Sequence, residues 1–306
     1  MATVLDRPQG WTHTPDGEPR GYIDSARIEE LWFHTGTTCN LSCPFCLEGS
    51  RPGDNRLNRI HFEDAQPFVD EALEMGVERF SFTGGEPFVI RDIVRILDYA
   101  LDHRPCLVLT NGTDPLIKRM KDILPLLDKP HPINFRISID HPAAAHHDAG
   151  RGEGNFDKSL QTAVRLIERG FTVSIARHMP AEEDTEQADG MYREVFKRFG
   201  LPADTTIVAF PDFLAPGSNP NVPQITETCM TTYHTVATRA SFMCGFSRMV
   251  VKKDGRMRVY ACTLVDDDEA YDLGDTLADS LAVRVMLGHH RCYSCFAYGA
   301  SCSESK

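Results

Sequence analysis

The chain has 306 residues, 42% of them apolar, enough for one large domain of roughly 200 to 250 residues and a smaller appendage. Its 32 Lys and Arg stand against 44 Asp and Glu, a formal charge of −12 with no basic block, so nucleic acid is excluded as a default partner. The stretch Met1 to Arg20 lacks the basic start and apolar run of a secretory signal, and no window approaches the ~18 apolar residues of a spanning helix. The expectation is therefore a cytoplasmic protein with no membrane partner.

Runs rich in β-branched and aromatic residues alternate with stretches of helical periodicity. The predicted strands are Leu31 to Thr35, Phe80 to Thr83, Leu107 to Thr110, Asn134 to Ile139, Thr172 to Ala176 and Thr206 to Phe210. Helices are predicted near Glu63 to Glu74, Ile90 to Asp102, Pro115 to Leu127, Phe156 to Arg169 and Glu182 to Phe199. Repeated β-α units call for a parallel sheet, and the pattern alone fits a β/α barrel or a doubly wound sheet. The proline-rich segment 211–223 reads as a linker. Beyond it come a predicted helix from Thr226 to about Ala240 and a hairpin within Met249 to Val259, turned at Asp254-Gly255. The acidic runs Asp266 to Glu269 and Glu182 to Glu186 read as solvated surface.

Ten cysteines are many for a chain of this length, and in a reducing compartment they point to metal ligation or catalysis before disulfides. Cys39, Cys43 and Cys46 follow the first predicted strand within eight residues. Three thiolates on one loop can hold a four-iron cluster and leave one iron open; a zinc site borrowing a fourth ligand is the alternative. Cys244 and Cys262 flank the predicted hairpin, and Cys292 and Cys295 form a later CxxC. Together they would close a second site for zinc or a four-iron cluster. Cys302 is a further possible ligand. Cys106 reads as a buried apolar residue, and Cys229 as a packing residue. Arg177 and His178, at the end of the fifth predicted strand, are candidate catalytic or substrate contacts, with a surface Arg-His pair as the alternative. His34, His289 and His290 read as structural or exposed.

The CxxxCxxC loop, with Phe45 before its third cysteine, resembles the signature of the radical S-adenosylmethionine enzymes. So does Thr83-Gly84-Gly85-Glu86-Pro87 at the end of the second strand. The later runs Thr110-Asn111-Gly112, Ser138-Ile139-Asp140, His147 to Gly152 and Gly154-Asn155-Phe156 are similar to the members that carry a cysteine-rich extension. The stretch Leu273 to Leu281 resembles that extension, the SPASM or shorter one-cluster Twitch domain.

The resemblance implies an α/β fold, a partial (β/α)6 TIM-like barrel with a small Twitch-like iron–sulfur domain made of a β-hairpin plus a helix. The implied division is 1–28 extension, 29–210 barrel, 211–223 linker and 224–306 auxiliary domain. The implied cofactors are S-adenosylmethionine, a primary 4Fe-4S cluster on Cys39, Cys43 and Cys46, and one auxiliary 4Fe-4S cluster on Cys244, Cys262, Cys292 and Cys295. S-adenosylmethionine contacts would come from Phe45, Thr83, Gly84, Gly85, Glu86, Thr110, Asn111, Ser138 and Arg151. Whether Glu86 touches the ligand or braces its turn is left open.

The implied activity is reductive cleavage of S-adenosylmethionine to a 5′-deoxyadenosyl radical that abstracts hydrogen from substrate, fed by an electron donor such as flavodoxin or ferredoxin. An oxidation using the auxiliary cluster is expected, with a redox-neutral outcome open. About 28 residues precede the first strand, too few for a leader-peptide recognition domain of roughly 80 residues. On that ground the expected substrate is a small polar metabolite such as a sugar, nucleoside or aminocyclitol. A ribosomal peptide is the second choice, and a non-catalytic zinc or electron-carrier protein the reading from another class.

Overall fold

The protein is described from a computed structural model, which covers residues 10–180, 183–299 and 303. Ten strands run in chain order: β1 Tyr22–Ile23, β2 Glu30–His34, β3 Arg79–Thr83, β4 Cys106–Thr110, β5 Ile133–Ser138, β6 Thr172–Met179, β7 Ile207–Pro211, β8 Ser247–Lys253, β9 Arg256–Tyr260 and β10 Val285–Met286. Strands β2 to β7 lie side by side in sequence order, each parallel to the next. With the helices between them they form the partial (β/α)6 barrel that the alternation predicted. Six predicted strands fall on these six.

The sheet does not stop at β2. Strand β8 adds parallel to its free edge, with Trp32 opposite Met249, and β9 returns antiparallel. The hairpin turn is Asp254-Gly255, both with positive φ (50° and 77°), as a two-residue turn of matching twist requires. Strand β1 pairs with β10, so the leading segment is strapped to the C-terminal region.

Strand periodicity sorts side chains into two cores. Leu31 and Phe33, Phe80 and Phe82, and Phe135 and Ile137 face the helices in one cluster. Trp32 and Leu107, on the opposite face, pack with Met249, Val251 and the C-terminal residues in a second.

Two expectations change in detail. The helix expected over Thr226 to Ala240 is two helices, Glu227–Tyr233 and Val236–Ala240. They are divided at extended His234, and Thr235 caps the second by accepting from Thr238 N–H. The stretch Pro115 to Leu127 breaks into Asp114–Lys118, Met120–Ile123 and a 3₁₀ turn at Leu124–Asp128, where Pro125 cannot extend an α-helix. The motif run His147 to Arg151 lies on a helix, Ala144–Arg151, that ends at Gly152 with φ 96°.

Candidate active site

The cysteine loop begins where β2 ends. Its path is set by the glycines after β3. Gly85 N–H donates to Gly36 O (2.9 Å) and Glu86 N–H to Thr38 O (3.1 Å). A Cβ on Gly84, whose φ is 132°, would lie 2.7 Å from Thr35 Oγ1, and one on Gly85 would overlap the Thr38 carbonyl. Both positions therefore need glycine so that the two loops can lie against each other.

Glu86 settles into the turn. Its buried carboxylate accepts from Phe88 N–H (3.1 Å), Thr110 Oγ1 (2.9 Å) and Asn111 N–H (2.8 Å). Burial pushes its pKa up to about 7, against the pull of these donors. It does not line the cavity, so among the expected contacts it braces β3 against β4. Asn111 is also committed: its Nδ2 donates to Asn40 Oδ1 (3.0 Å), and its Oδ1 accepts from Thr113. Asn40, inside the cysteine loop, donates to Thr113 Oγ1.

Above this frame opens a cavity lined by Cys39, Cys43, Phe45, Cys46, Thr83, Gly84, Gly85, Thr110, Asn111, Ser138 and Arg151. Apart from Glu86, every expected S-adenosylmethionine contact reaches it. Cys43 and Cys46 are half-buried and Cys39 is buried. Burial pushes the Cys39 thiol up to about 12 and raises those of Cys43 and Cys46, while Arg151 works in the other direction on the latter two. The Arg151 guanidinium is paired with Asp140 through Nε and Nη2 and lies 5.7 Å from the Phe45 ring centre. Phe45 also closes on Gly150, where any Cβ would strike its ring.

Arg177 and His178 line the same cavity, but not as a surface pair. Arg177 is fully buried, with Nε on Asp189 (3.0 Å) and Nη1 on Glu183. The His178 ring faces Phe45 at 6.4 Å.

The other four expected ligands meet in the second core. The antiparallel pairing of β8 and β9 returns Cys262 to the end of the hairpin where Cys244 enters. Cys292 and Cys295 project one turn apart from the helix Cys292–Tyr298. All four are buried. Burial raises each thiol, and the neighbouring cysteine charges add to this at Cys244, Cys262 and Cys292. Arg248, buried beside Cys244 and Cys262, supplies a compensating cation and donates to Cys244 O (2.7 Å). Cys106 is buried in the barrel core, as expected; Cys229 sits at the start of its helix on the Thr226 cap; Cys302 lies outside the described residues.

Among the described residues, the group of three or more His, Cys, Asp or Glu whose ligand atoms all lie within 4.8 Å of one another is His34, Glu48 and Asp266; neither cysteine set contracts that far. A zinc tetrahedron with bonds of about 2.3 Å needs sulfurs roughly 3.8 Å apart. A four-iron cube keeps its thiolates further apart, because each binds a different iron. Donor type fits a cluster at both sets, three thiols around the cavity and four in the second core.

The His34 group is a buried cluster of one imidazole and two carboxylates. His34 Nδ1 accepts from Gly36 N–H (3.1 Å), which leaves the proton on Nε2, 3.2 Å from a Glu48 oxygen. A metal would need that nitrogen bare. Asp266, buried and facing the Glu48 charge, is pushed well above the carboxylate range. The acidic run Asp266 to Glu269 is therefore not all solvated surface as expected: Asp266 and Asp267 are turned inward, and only Glu269 is exposed. In the other run, Glu182 lies outside the described residues and Glu183 is bound to Arg177.

The family model for the Radical SAM superfamily matches residues 33–195, more than half of the chain. The protein belongs to the radical SAM superfamily. Its cofactors are accordingly S-adenosylmethionine and a 4Fe-4S cluster. The mycofactocin maturase MftC of Mycolicibacterium smegmatis is 29% identical over 152 residues, 49% of this chain and 37% of its own. The antilisterial bacteriocin subtilosin biosynthesis protein AlbA of Bacillus subtilis is 32% identical over 140 residues, 45% of this chain and 30% of its own. The chain thus spans about a third of the length of these curated relatives. In fold it is similar to anSMEcpe with bound AdoMet (TM-score 0.58, 16% identity, 82% of this chain and 79% of that one). It is also similar to Streptococcus suis SuiB bound to S-adenosylmethionine (TM-score 0.57, 15% identity, 88% and 67%). No helix among the described residues is long and apolar enough to cross a membrane.

Proposed function

We propose that this radical SAM enzyme modifies a peptide, and that the modification is an oxidation. The observation that carries the substrate class is that relatives at 29% and 32% identity across the barrel are a maturase and a bacteriocin biosynthesis protein. This favours the ribosomal peptide over the small polar metabolite expected from the length of the leading segment.

In this reading Cys39, Cys43 and Cys46 hold the primary cluster. The cavity residues that would hold S-adenosylmethionine are Gly84, Gly85, Ser138, Arg151 and Phe45. When bound, these cofactors supply a 5′-deoxyadenosyl radical that takes a hydrogen atom from the substrate. Arg151, oriented by Asp140, offers the remaining face of its fork to a carboxylate. Cys244, Cys262, Cys292 and Cys295 would hold an auxiliary cluster, and the chemistry it would supply is acceptance of an electron. The external electron comes from a small donor protein such as flavodoxin or ferredoxin.

The test is anaerobic incubation of the full chain with S-adenosylmethionine, a reductant and deuterated precursor peptides. Deuterium in 5′-deoxyadenosine and a peptide short of two hydrogens are expected. Deuterium transfer only from sugars, nucleosides or aminocyclitols would overturn the peptide assignment.

A further inference from the structure

We infer that Arg291 is a positioning residue, one that sets the primary cysteine loop from the auxiliary side of the molecule. It immediately precedes Cys292 and is 1% exposed. Its guanidinium reaches three segments that are distant in sequence, at Leu47, at Phe213-Leu214 and at Leu264 to Asp267. Nε donates to Phe213 O (2.9 Å). Nη1 donates to Leu264 O (3.0 Å) and meets Asp267 Oδ1 at 3.3 Å. Nη2 donates to Leu214 O (2.9 Å) and Leu47 O (3.2 Å).

The placement of those acceptors gives the residue its meaning. Leu47 follows Cys46, Leu264 lies two residues past Cys262, and both Leu47 and Phe213 line the cavity. One side chain next to a proposed auxiliary ligand therefore holds the residue after a proposed primary ligand, together with a wall of the pocket.

A buried guanidinium is costly unless its donors are satisfied, and an apolar residue of similar volume would fill the space at less risk. What an apolar residue cannot do is hold four carbonyls and a carboxylate in fixed directions. Lysine cannot either, because its ammonium is a compact point donor on a flexible stem. Asp267 balances the charge and is itself held by Gly217 N–H (3.0 Å) and His289 Nε2 (3.3 Å). A second stitch crosses the same seam: Glu48 from the cysteine loop, His34 at the end of β2 and Asp266 from the auxiliary segment. The cysteine loop thus takes its shape from the auxiliary segment as well as from the barrel.

This inference rests on the proposed assignment of both cysteine sets, so the wild-type chain is measured first. About eight irons per reconstituted chain uphold that assignment. About four irons, or zinc at the Cys244 group, would remove the assignment and the inference built on it.

Given eight, Arg291→Lys is expected to keep its iron while losing the change that S-adenosylmethionine makes in the electron paramagnetic resonance signal of the reduced primary cluster. The KM for S-adenosylmethionine should rise about tenfold or more, equivalent to about 1.4 kcal/mol. An unchanged spectral response and KM overturn the inference. So does loss of auxiliary iron with the primary response intact, because Arg291 would then serve the auxiliary site alone. If Arg291→Lys does not fold, Asp267→Asn, which withdraws one partner and leaves the four carbonyls, is read in the same way. It should shift the response in the same direction by less, and an unaltered response overturns the inference.

Discussion

The two cysteine sets differ in what surrounds them. Cys43 and Cys46 are half-exposed on a loop, beside an ion-paired arginine and a glycine cradle, and they face a cavity. Cys244, Cys262, Cys292 and Cys295 are enclosed in an apolar core with a buried arginine for company. Three donors facing open space suit a centre that must accept a ligand; four donors in a sealed core suit one that must not. Under the proposed assignment, the same side-chain chemistry is given two tasks by burial and by ligand count.

The largest effect should come from the open set. Replacing Cys39, Cys43 and Cys46 with Ala is expected to abolish 5′-deoxyadenosine formation from S-adenosylmethionine under reducing conditions, and retained cleavage would mean the sites are misassigned. Replacing Cys292 and Cys295 with Ala should be gentler: iron falls from about eight to about four, cleavage persists, and peptide product disappears. If product continued to form, the closed set would have no part in the second electron step.

Below these lie changes to the frame around the open set. Gly85→Ala forces a methyl into the Thr38 carbonyl, and a loss of about 3 kcal/mol in denaturant unfolding is expected. Glu86→Gln is the mildest, at about 2 kcal/mol, because its amide would turn a donor toward either Asn111 N–H or Phe88 N–H. Its pH dependence has a sign. With a folded pKa of about 7 against 4.5 unfolded, folding takes up a proton, so Glu86 withdraws stability as pH rises between those values. The glutamine variant should lose less stability than wild type across that window.

The cavity around the cysteine loop was largely legible in sequence because its lining residues are local. Cys39, Cys43 and Cys46 share one loop, Gly84 to Pro87 another, and each follows a strand whose residues announce themselves by alternation. The hairpin was legible for the same reason, through Asp254-Gly255. The seam between the two sites was not. Asp266 looked like part of a solvated acidic run because its partners, Glu48 and His34, are far away in the chain, and Arg291 carried no local pattern at all. Strands β1 and β10, two residues each, are too short to show a period. The break at His234 depends on a Thr235 cap that competes with an otherwise helical stretch. Only the acidic character of a segment with apolar neighbours, Leu264-Val265-Asp266, hinted that a carboxylate was turned inward.

The contrast between open and closed sites is tested most directly by Mössbauer spectroscopy of the iron-labelled wild-type protein, with and without S-adenosylmethionine. About one iron in eight should change its environment on binding, with the rest unmoved. No change, or a change distributed over both clusters, would contradict the account.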